Sequence, residues 1–527
     1  MSDNKIKYES KGVKKEDLFF YFEMLKKIKL NDQEFCKSDV YEIIEKHINE
    51  DFIFLSKVGF LNYKRINGYD VNFNERINII IGENGVGKTS VLNGVVKNLS
   101  WMLNNILKDN NNGIHLMDDE ISNVIIDEKN QTSIVKCSFQ YGSHTKIEGE
   151  LVKHKVGFSS KRQSKVSEYK NIGEIWREFH NFSNINLPIF SFYSVKRFND
   201  KVSSKLEAKA EISKLDAYKG ALDGNVKFES FAKWLLQCLK IISNDGADQG
   251  YKERLEQLVV AKQSLVPETQ VYKLLEEEEK RLKFFLETQK NNFYIYKQLE
   301  LINELVRKIF PNFNSFKLIQ TSGIDEILLT YHNESAINLE QLSDGERVFL
   351  GIVMDIAYRL ISLNPNRENP FEGSGIIVID EIELHLHPRW QQSSVLILGE
   401  SFPNIQFIIT THSPQVLSTV DKKSIIYLRK DGVGEVSYQS KGLMSSDVLE
   451  LIMNTRSIPD VKEAQDLKRL NLWLENEKYD SIEFNKLLRE LTEHFGENHP
   501  EIVSINSRIR FINVRNTLRN KIRISKE

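Results

Sequence analysis

The run Ile77-Asn78-Ile79-Ile80-Ile81 enters Gly82-Glu83-Asn84-Gly85-Val86-Gly87-Lys88-Thr89 and leaves through Ser90-Val91-Leu92-Asn93-Gly94-Val95-Val96. An apolar run, a glycine loop and an amphipathic stretch spell strand, loop and helix, the setting that a phosphate-binding P-loop requires. The glycines let successive backbone N–H groups point at one anion, and the helix N-terminus adds its dipole. Lys88 is placed to reach the β- and γ-phosphates, and the Thr89 hydroxyl to ligate Mg²⁺. Asn84, Gly85, Val86, Gly87, Lys88, Thr89 and Ser90 are therefore the expected nucleotide-binding residues. An α/β fold that takes a nucleoside triphosphate follows.

Three later segments narrow the class. Gly375-Ile376-Ile377-Val378-Ile379-Asp380-Glu381 reads as a buried strand, apolar throughout, that ends in two carboxylates. Asp380 is the expected Mg²⁺ residue, directly or through water, and Glu381 the group that orients and deprotonates the attacking water. Leu342-Ser343-Asp344-Gly345-Glu346 heads an apolar helix, Val348–Met354. Ile408-Ile409-Thr410-Thr411-His412-Ser413 is a further strand with a histidine at its C-terminal edge.

In this order the four segments resemble the ABC-type ATPase head: Walker A, an LSxGE signature, Walker B followed by Glu, and a switch histidine. The resemblance implies a mixed sheet flanked by helices. It places Ser343 and Gly345, in the signature with Glu346, against the γ-phosphate bound by another protomer. His412 would sense the same phosphate in its own protomer. A chain with one of each element would then complete its site only by ATP-dependent head-to-head pairing, as a homo-oligomer.

The stretch from Asp380 to Gln391, of the form DE-x-E-L-H-L-H-P-x-x-Q, is similar to the OLD/RecF-related branch of these ATPases. The segments 186–190, 341–350, 363–370 and 402–414 resemble PtuA-type ATPases of Septu and retron-associated antiphage systems. The resemblance runs from about residue 51 onward and is weakest over 228–311. It implies a defence complex with a PtuB-like HNH nuclease, joined in retrons by a reverse transcriptase and its multicopy single-stranded DNA. One departure stands out: the Gln that ABC relatives carry after the P-loop has no counterpart. Gln140 sits on a hairpin, and Phe192-Tyr193-Ser194-Val195-Lys196-Arg197 lacks one. Slow hydrolysis is the expectation. Tyr63 and Lys64, ahead of the P-loop, are the adenine-contact candidates by position. Glu383, His385 and His387 raise a metal site as the alternative to a place beside the dimer seam.

The organisation expected is a helical segment at 1–50, a first ATPase lobe with a β-hairpin arm at 51–227, a helical insertion at 228–311, a second lobe at 312–438 and a helical tail at 439–527. The insertion is too short for an SMC coiled coil and lacks its Cys-x-x-Cys hook. Hydrophobic content of 40% and charged content of 28% are those of a globular protein. Cys36, Cys137 and Cys238 are scattered, which argues for a reducing compartment. With neither a signal-like N-terminus nor a run near ~20 apolar residues, a cytoplasmic protein without a membrane contact is expected.

Other functions weigh less. A self-contained OLD-type nuclease needs an Asp-x-Asp pair, which 439–527 lacks. A RecF/SMC-like repair clamp fits poorly with the small insertion and a net charge of −2. Nucleic-acid contact would have to be local. Lys153, Lys155, Lys161, Arg162 and Lys165 on a loop are one candidate. Arg508, Arg510, Arg515, Arg519, Lys521 and Arg523, on a helix with Ile505, Ile509, Leu518 and Ile522 along one side, are the other. A solvated or docking helix is the plainer reading of that segment.

Overall fold

The computed structural model describes residues 18–30, 35–122, 132–155, 162–183, 185–197, 213–226, 228–244, 257–262, 270–321, 324–333, 335–476 and 478–524. They form two compact units, divided between Val448 and Leu449.

The first unit begins with two helices, α1 (Leu18–Leu30) and α2 (Phe35–Glu50), packed on each other. Then come β1 (Ile53–Tyr63), β2 (Ile66–Asn72), the P-loop strand β3 (Ile77–Ile81) and α3 (Lys88–Leu107). A hairpin, β4 (Thr132–Tyr141) and β5 (Thr145–His154), is followed by α4 (Ser167–Phe182) and β6 (Ile189–Tyr193). Among the described residues the insertion holds α5 (Phe228–Asn244), a short helical segment at 257–262 and the 40-residue α6 (Gln270–Ile309). A small meander of β7 (Phe313–Thr321), β8 (Ile324–Tyr331) and β9 (Ala336–Asn338) leads to α7 (Asp344–Leu363) and β10 (Gly375–Ile379). The unit finishes with α8 (Pro388–Ser401), β11 (Ile405–Thr410), β12 (Ile425–Arg429) and β13 (Gly432–Gly434).

Three sheets result. The central one has the order β13-β12-β3-β11-β10-β6, parallel from β12 to β6 with β13 added antiparallel at one edge. Its inner strands are buried on both faces, which is why 375–379 and 405–410 are apolar almost without interruption. The second sheet, β2-β1-β4-β5, is antiparallel, and the third is the meander β7-β8-β9. Gln406, 1% exposed, stitches the first two sheets together. Its side-chain oxygen accepts from the Leu55 N–H at 2.7 Å and its amide donates to the Leu55 carbonyl at 2.8 Å. A buried amide survives only when both its ends are satisfied in this way.

The chain order of the central sheet decides what the site can be. β11 lies between β3 and β10, so its C-terminal end stands between the P-loop and Asp380. The parallel registers Ile80↔Thr410 and Ile379↔Ile409 bring all three strand ends to one edge. Open parallel sheets bind ligands at that edge.

The second unit holds α9 (Lys462–Glu475), α10 (Ile482–Phe495) and α11 (Pro500–Ile524). Leu470, Leu474, Tyr479, Phe484, Leu491, Ile502 and Ile505 make its core. The expected single apolar side of α11 is only partly there: Ile505 is buried and Ile509 packs on the core, but Leu518 is 55% exposed. Among the described residues no helix is long and apolar enough to cross a membrane.

Candidate functional site

The P-loop takes its shape from glycines where the chain turns left-handed: Gly82, Gly85 and Gly87 have φ of 150°, 82° and 107°. Other residues adopt these angles only at a cost. Gly87 is the N-cap of α3, so the helix starts at Lys88 with its first N–H groups facing the loop. Lys88 is 8% exposed and donates to the Gly82 carbonyl at 2.8 Å and the Glu83 carbonyl at 3.0 Å. Burial holds its ammonium below the usual lysine range, against the opposing pull of Glu381, Asp380 and Glu383. Val86 is buried beneath the loop, while Glu83, Asn84, Gly85 and Thr89 are exposed and Ser90 partly so.

Asp380 is held from two sides. The Thr89 hydroxyl donates to its Oδ2 at 3.0 Å, and the Thr410 hydroxyl to its Oδ1 at 2.6 Å. Thr410 also accepts from the Glu381 N–H at 2.7 Å. One hydroxyl on the intervening strand therefore sets both carboxylate residues. Glu381 has φ of 47°, a conformation that is uncommon for a residue with a Cβ.

Glu383 is engaged in this framework through both carboxylate oxygens. Its carboxylate accepts from the Thr411 hydroxyl at 2.7 Å and from the His412 backbone N–H at 2.6 Å. His387 caps α8 through a 3.4 Å bond that its Nδ1 accepts from the Arg389 N–H. Among the described residues no group of His, Cys, Asp and Glu is arranged to hold a metal ion by itself. Gln391 closes the motif: it donates to the Leu386 carbonyl at 2.9 Å and accepts from the Ser413 hydroxyl at 2.7 Å. The DE-x-E-L-H-L-H-P-x-x-Q pattern thus binds the segment after β10 to the segment after β11, beneath a partly exposed His412.

The signature residues stand at the start of α7. Ser343 is the N-cap, its hydroxyl accepting from the Glu346 N–H while the Glu346 carboxylate accepts from the Ser343 N–H, a capping box. Gly345 is required by contact: a Cβ there would lie 2.5 Å from the His385 carbonyl oxygen. Ser343 is exposed, as is Asp344 beside it.

Two positional expectations are corrected. Tyr63 is fully buried and its hydroxyl donates to Glu120 at 3.1 Å, so its ring has no open face for adenine. Lys64 is turned to the same carboxylate at 3.3 Å. The residue of that turn that meets the P-loop is Arg65, exposed, with Nη1 2.6 Å from where a Gly85 Cβ would be. The basic loop is also neutralised in part, while Lys155 and Lys165 are exposed. Lys153 pairs with Asp118 at 3.1 Å and Arg162 with Glu150 at 2.7 Å, while Lys161 lies outside the described residues. On α11, Arg508 lies 3.9 Å from Glu475, and the side chains of Arg519, Lys521, Ile522 and Arg523 fall outside the described set.

Two buried groups of this region carry no sequence motif. Tyr193 accepts the Asp380 N–H on its carbonyl and donates its hydroxyl to Asp355 of α7, which also receives Arg359. Arg197, 2% exposed, donates to the carbonyls of Asp380, Glu381, Ile382 and Leu384. The strand end Phe192–Arg197, which carries no recognisable motif, gave no signal for either.

Residues 54–417 match the AAA ATPase domain family. The chain is 29% identical over 488 residues to the retron Ec83 probable ATPase of Escherichia coli, covering 88% of each. It is 30% identical over 465 residues to the retron Vc95 probable ATPase of Vibrio cholerae, covering 83% of this chain and 85% of that one. Septu protein PtuA of Bacillus mycoides is 30% identical over 173 residues, 29% of this chain and 23% of PtuA. The Smc head domain of Pyrococcus furiosus superposes with a TM-score of 0.40 at 16% identity, over 73% of this chain and 96% of that one. With the family model matched over residues 54–417 and the P-loop, Asp380 and Glu381 gathered at one sheet edge, the chain belongs to the AAA ATPase domain family.

Proposed function

We propose that this chain is the ATP-dependent regulatory subunit of an antiphage defence complex and that a partner polypeptide, a PtuB-like HNH nuclease, does the cutting. The observation that carries the ATPase chemistry is the Asp380 carboxylate shared between Thr89 and Thr410, with Glu381 fixed beside it. Hydroxyl and carboxylate oxygens at this place form a hard donor set of the kind Mg²⁺ takes. Thr89 and Asp380 would hold the ion, which supplies charge neutralisation on the phosphates. Lys88 and the loop N–H groups bind the phosphates, and Arg65 is placed to add a further cation. Glu381 orients and deprotonates water for attack on the γ-phosphate. His412, fastened through its backbone to Glu383, reads the γ-phosphate in its own protomer.

Ser343, Gly345 and Glu346 act on the site of a second copy, so ATP favours head-to-head pairing. The exposure of Ser343 beside a fully capped helix start supports this role. Ser343→Arg is expected to bind ATP normally and to lose ATP-dependent oligomerisation, read by light scattering with and without ATP. Pairing that persists in this variant counts against a composite site.

The retron relatives favour a complex that also holds a reverse transcriptase and msDNA. Native mass spectrometry of the tagged chain, expressed with its genomic neighbours, tests this reading. A co-purifying nuclease subunit is the expected result. A bare homo-oligomer would overturn the regulatory role and move weight to a RecF/SMC-like repair ATPase.

A further inference from the structure

A buried arginine ordinarily faces a carboxylate. Arg197 does not, although Asp380, Glu381 and Glu383 all lie close enough to act on its charge. Its Nη1 donates to the Asp380 carbonyl at 2.6 Å, and its Nη2 to those of Glu381 at 2.9 Å, Ile382 at 3.3 Å and Leu384 at 3.4 Å. The carboxylates are engaged elsewhere: Asp380 with Thr89 and Thr410, Glu383 with Thr411 and His412. The cation is thus on the backbone side of the segment and the acids are on the other.

That backbone needs such a hub. Glu381 and His385 both have left-handed φ, 47° and 68°. The turn between them has only short backbone bonds, Leu384 N–H to the Glu381 carbonyl at 3.0 Å and Leu386 N–H to the Glu383 carbonyl at 2.9 Å, which leave the Asp380, Ile382 and Leu384 carbonyls to Arg197. Carbonyls that converge away from water need a donor, and a planar guanidinium offers five N–H groups in a fixed fork. Arg197 is itself anchored: its N–H donates to the Ser194 carbonyl at 3.1 Å and its carbonyl accepts from the Val226 N–H at 3.2 Å. Burial lowers the guanidinium to about 10, which leaves it charged at neutral pH.

We propose that Arg197 is a positioning residue for ATP hydrolysis: it holds the Asp380–Leu384 backbone in the left-handed turn that presents the Glu381 carboxylate to the nucleotide site. It stands at the end of the strand beside β10, where the chain has no Gln, and acts on the base through the main chain. The proposal rests on the assignment of Glu381 as the base.

The test uses Arg197→Lys and Arg197→Gln in the full chain, each with and without Glu381→Gln, with labelled ATP for binding and phosphate release for turnover. Lysine keeps the charge but cannot span four carbonyls. Arg197→Lys is expected to bind ATP within about 3-fold of wild type and to lose about 10–100-fold in kcat, the scale of a misplaced catalytic group. Arg197→Gln, which loses the charge and the fork, is expected to lose at least as much. In the Glu381→Gln background neither change should cost further turnover, because residues acting as one unit are not additive. Multiplicative losses, loss of ATP binding in Arg197→Lys, or unchanged kcat would each overturn the proposal. Equal turnover in wild type and Glu381→Gln would instead remove the base assignment beneath it.

Discussion

The edge of the central sheet and the C-terminal helical unit are built by opposite means. At the sheet edge, Thr89, Asp380, Thr410, Glu383 and Arg197 are linked by hydrogen bonds whose partners come from distant parts of the chain. In the C-terminal unit, Leu470, Leu474, Tyr479, Phe484, Leu491, Ile502 and Ile505 make an apolar core with polar ties at its rim, Asn516 to the Tyr479 hydroxyl at 3.1 Å and Arg508 to Asn471 at 3.3 Å. Large apolar residues remain outside, Ile482 at 84% and Phe511 at 70% exposed. Buried polar ties specify one arrangement of atoms, because any other leaves a group unpaired. Apolar packing specifies volume and tolerates repacking. Chemistry should therefore be lost at the first region without loss of fold, and fold at the second without loss of chemistry.

The widest separation is expected from Lys88→Ala, which should abolish ATP binding in a calorimetric titration while leaving the thermal melt near that of wild type. A melt that collapses with it would show that the P-loop carries the fold as well. Glu381→Gln comes next. It should retain ATP and slow phosphate release by ~10²–10⁴, the worth of a positioned general base, and accumulate an ATP-bound oligomer on size exclusion. Undiminished hydrolysis would mean that another group activates water.

Phe484→Ala probes the other side of the comparison. It should destabilise the C-terminal unit by about 3–5 kcal/mol, as for other buried aromatics, with hydrogen exchange rising in 462–524 and kcat unchanged. A fall in kcat would break the division of labour. The smallest effect concerns Glu120 in the first unit. Burial raises its carboxyl, but hydrogen bonds from Lys97 and the Met117 N–H, with the charges of Lys97 and Lys64, outweigh this and hold it below the usual 4.5. A depressed carboxyl stabilises the fold above the unfolded value and loses that contribution as pH falls through the folded one. Glu120→Gln should therefore flatten the loss of stability below pH 4.5 in acid titrations followed by circular dichroism. An unchanged acid transition would remove Glu120 from it.

The same contrast explains what could be read from residues alone. β3, β10 and β11 were legible because a strand buried on both faces must be apolar, and the P-loop because its glycines have no substitute. Ser343 with Glu346 could be placed because a capping box is local in sequence. Arg197 could not: its partners are carbonyls 183 to 187 residues away, and a backbone acceptor has no residue type. Tyr63 misled for a related reason, since only the fold shows that Glu120 already claims its hydroxyl. In α11 the pattern gave the helix, but Leu518 shows that it did not give which side is covered.

The interleaving of the central sheet bears on how this chain is made. Residues 77–81 are flanked by β11 and β12, whose residues 405–410 and 425–429 leave the ribosome long after them. Until then the P-loop strand has no neighbour on either side, and its hydrophobic run stays unpaired through the translation of the whole insertion. Contacts this distant are slow to close, and an unpaired apolar strand is open to aggregation while it waits. A product that stops before residue 405 lacks β11, and with it the Thr410 hydroxyl that holds the Asp380 carboxylate and the Glu381 N–H.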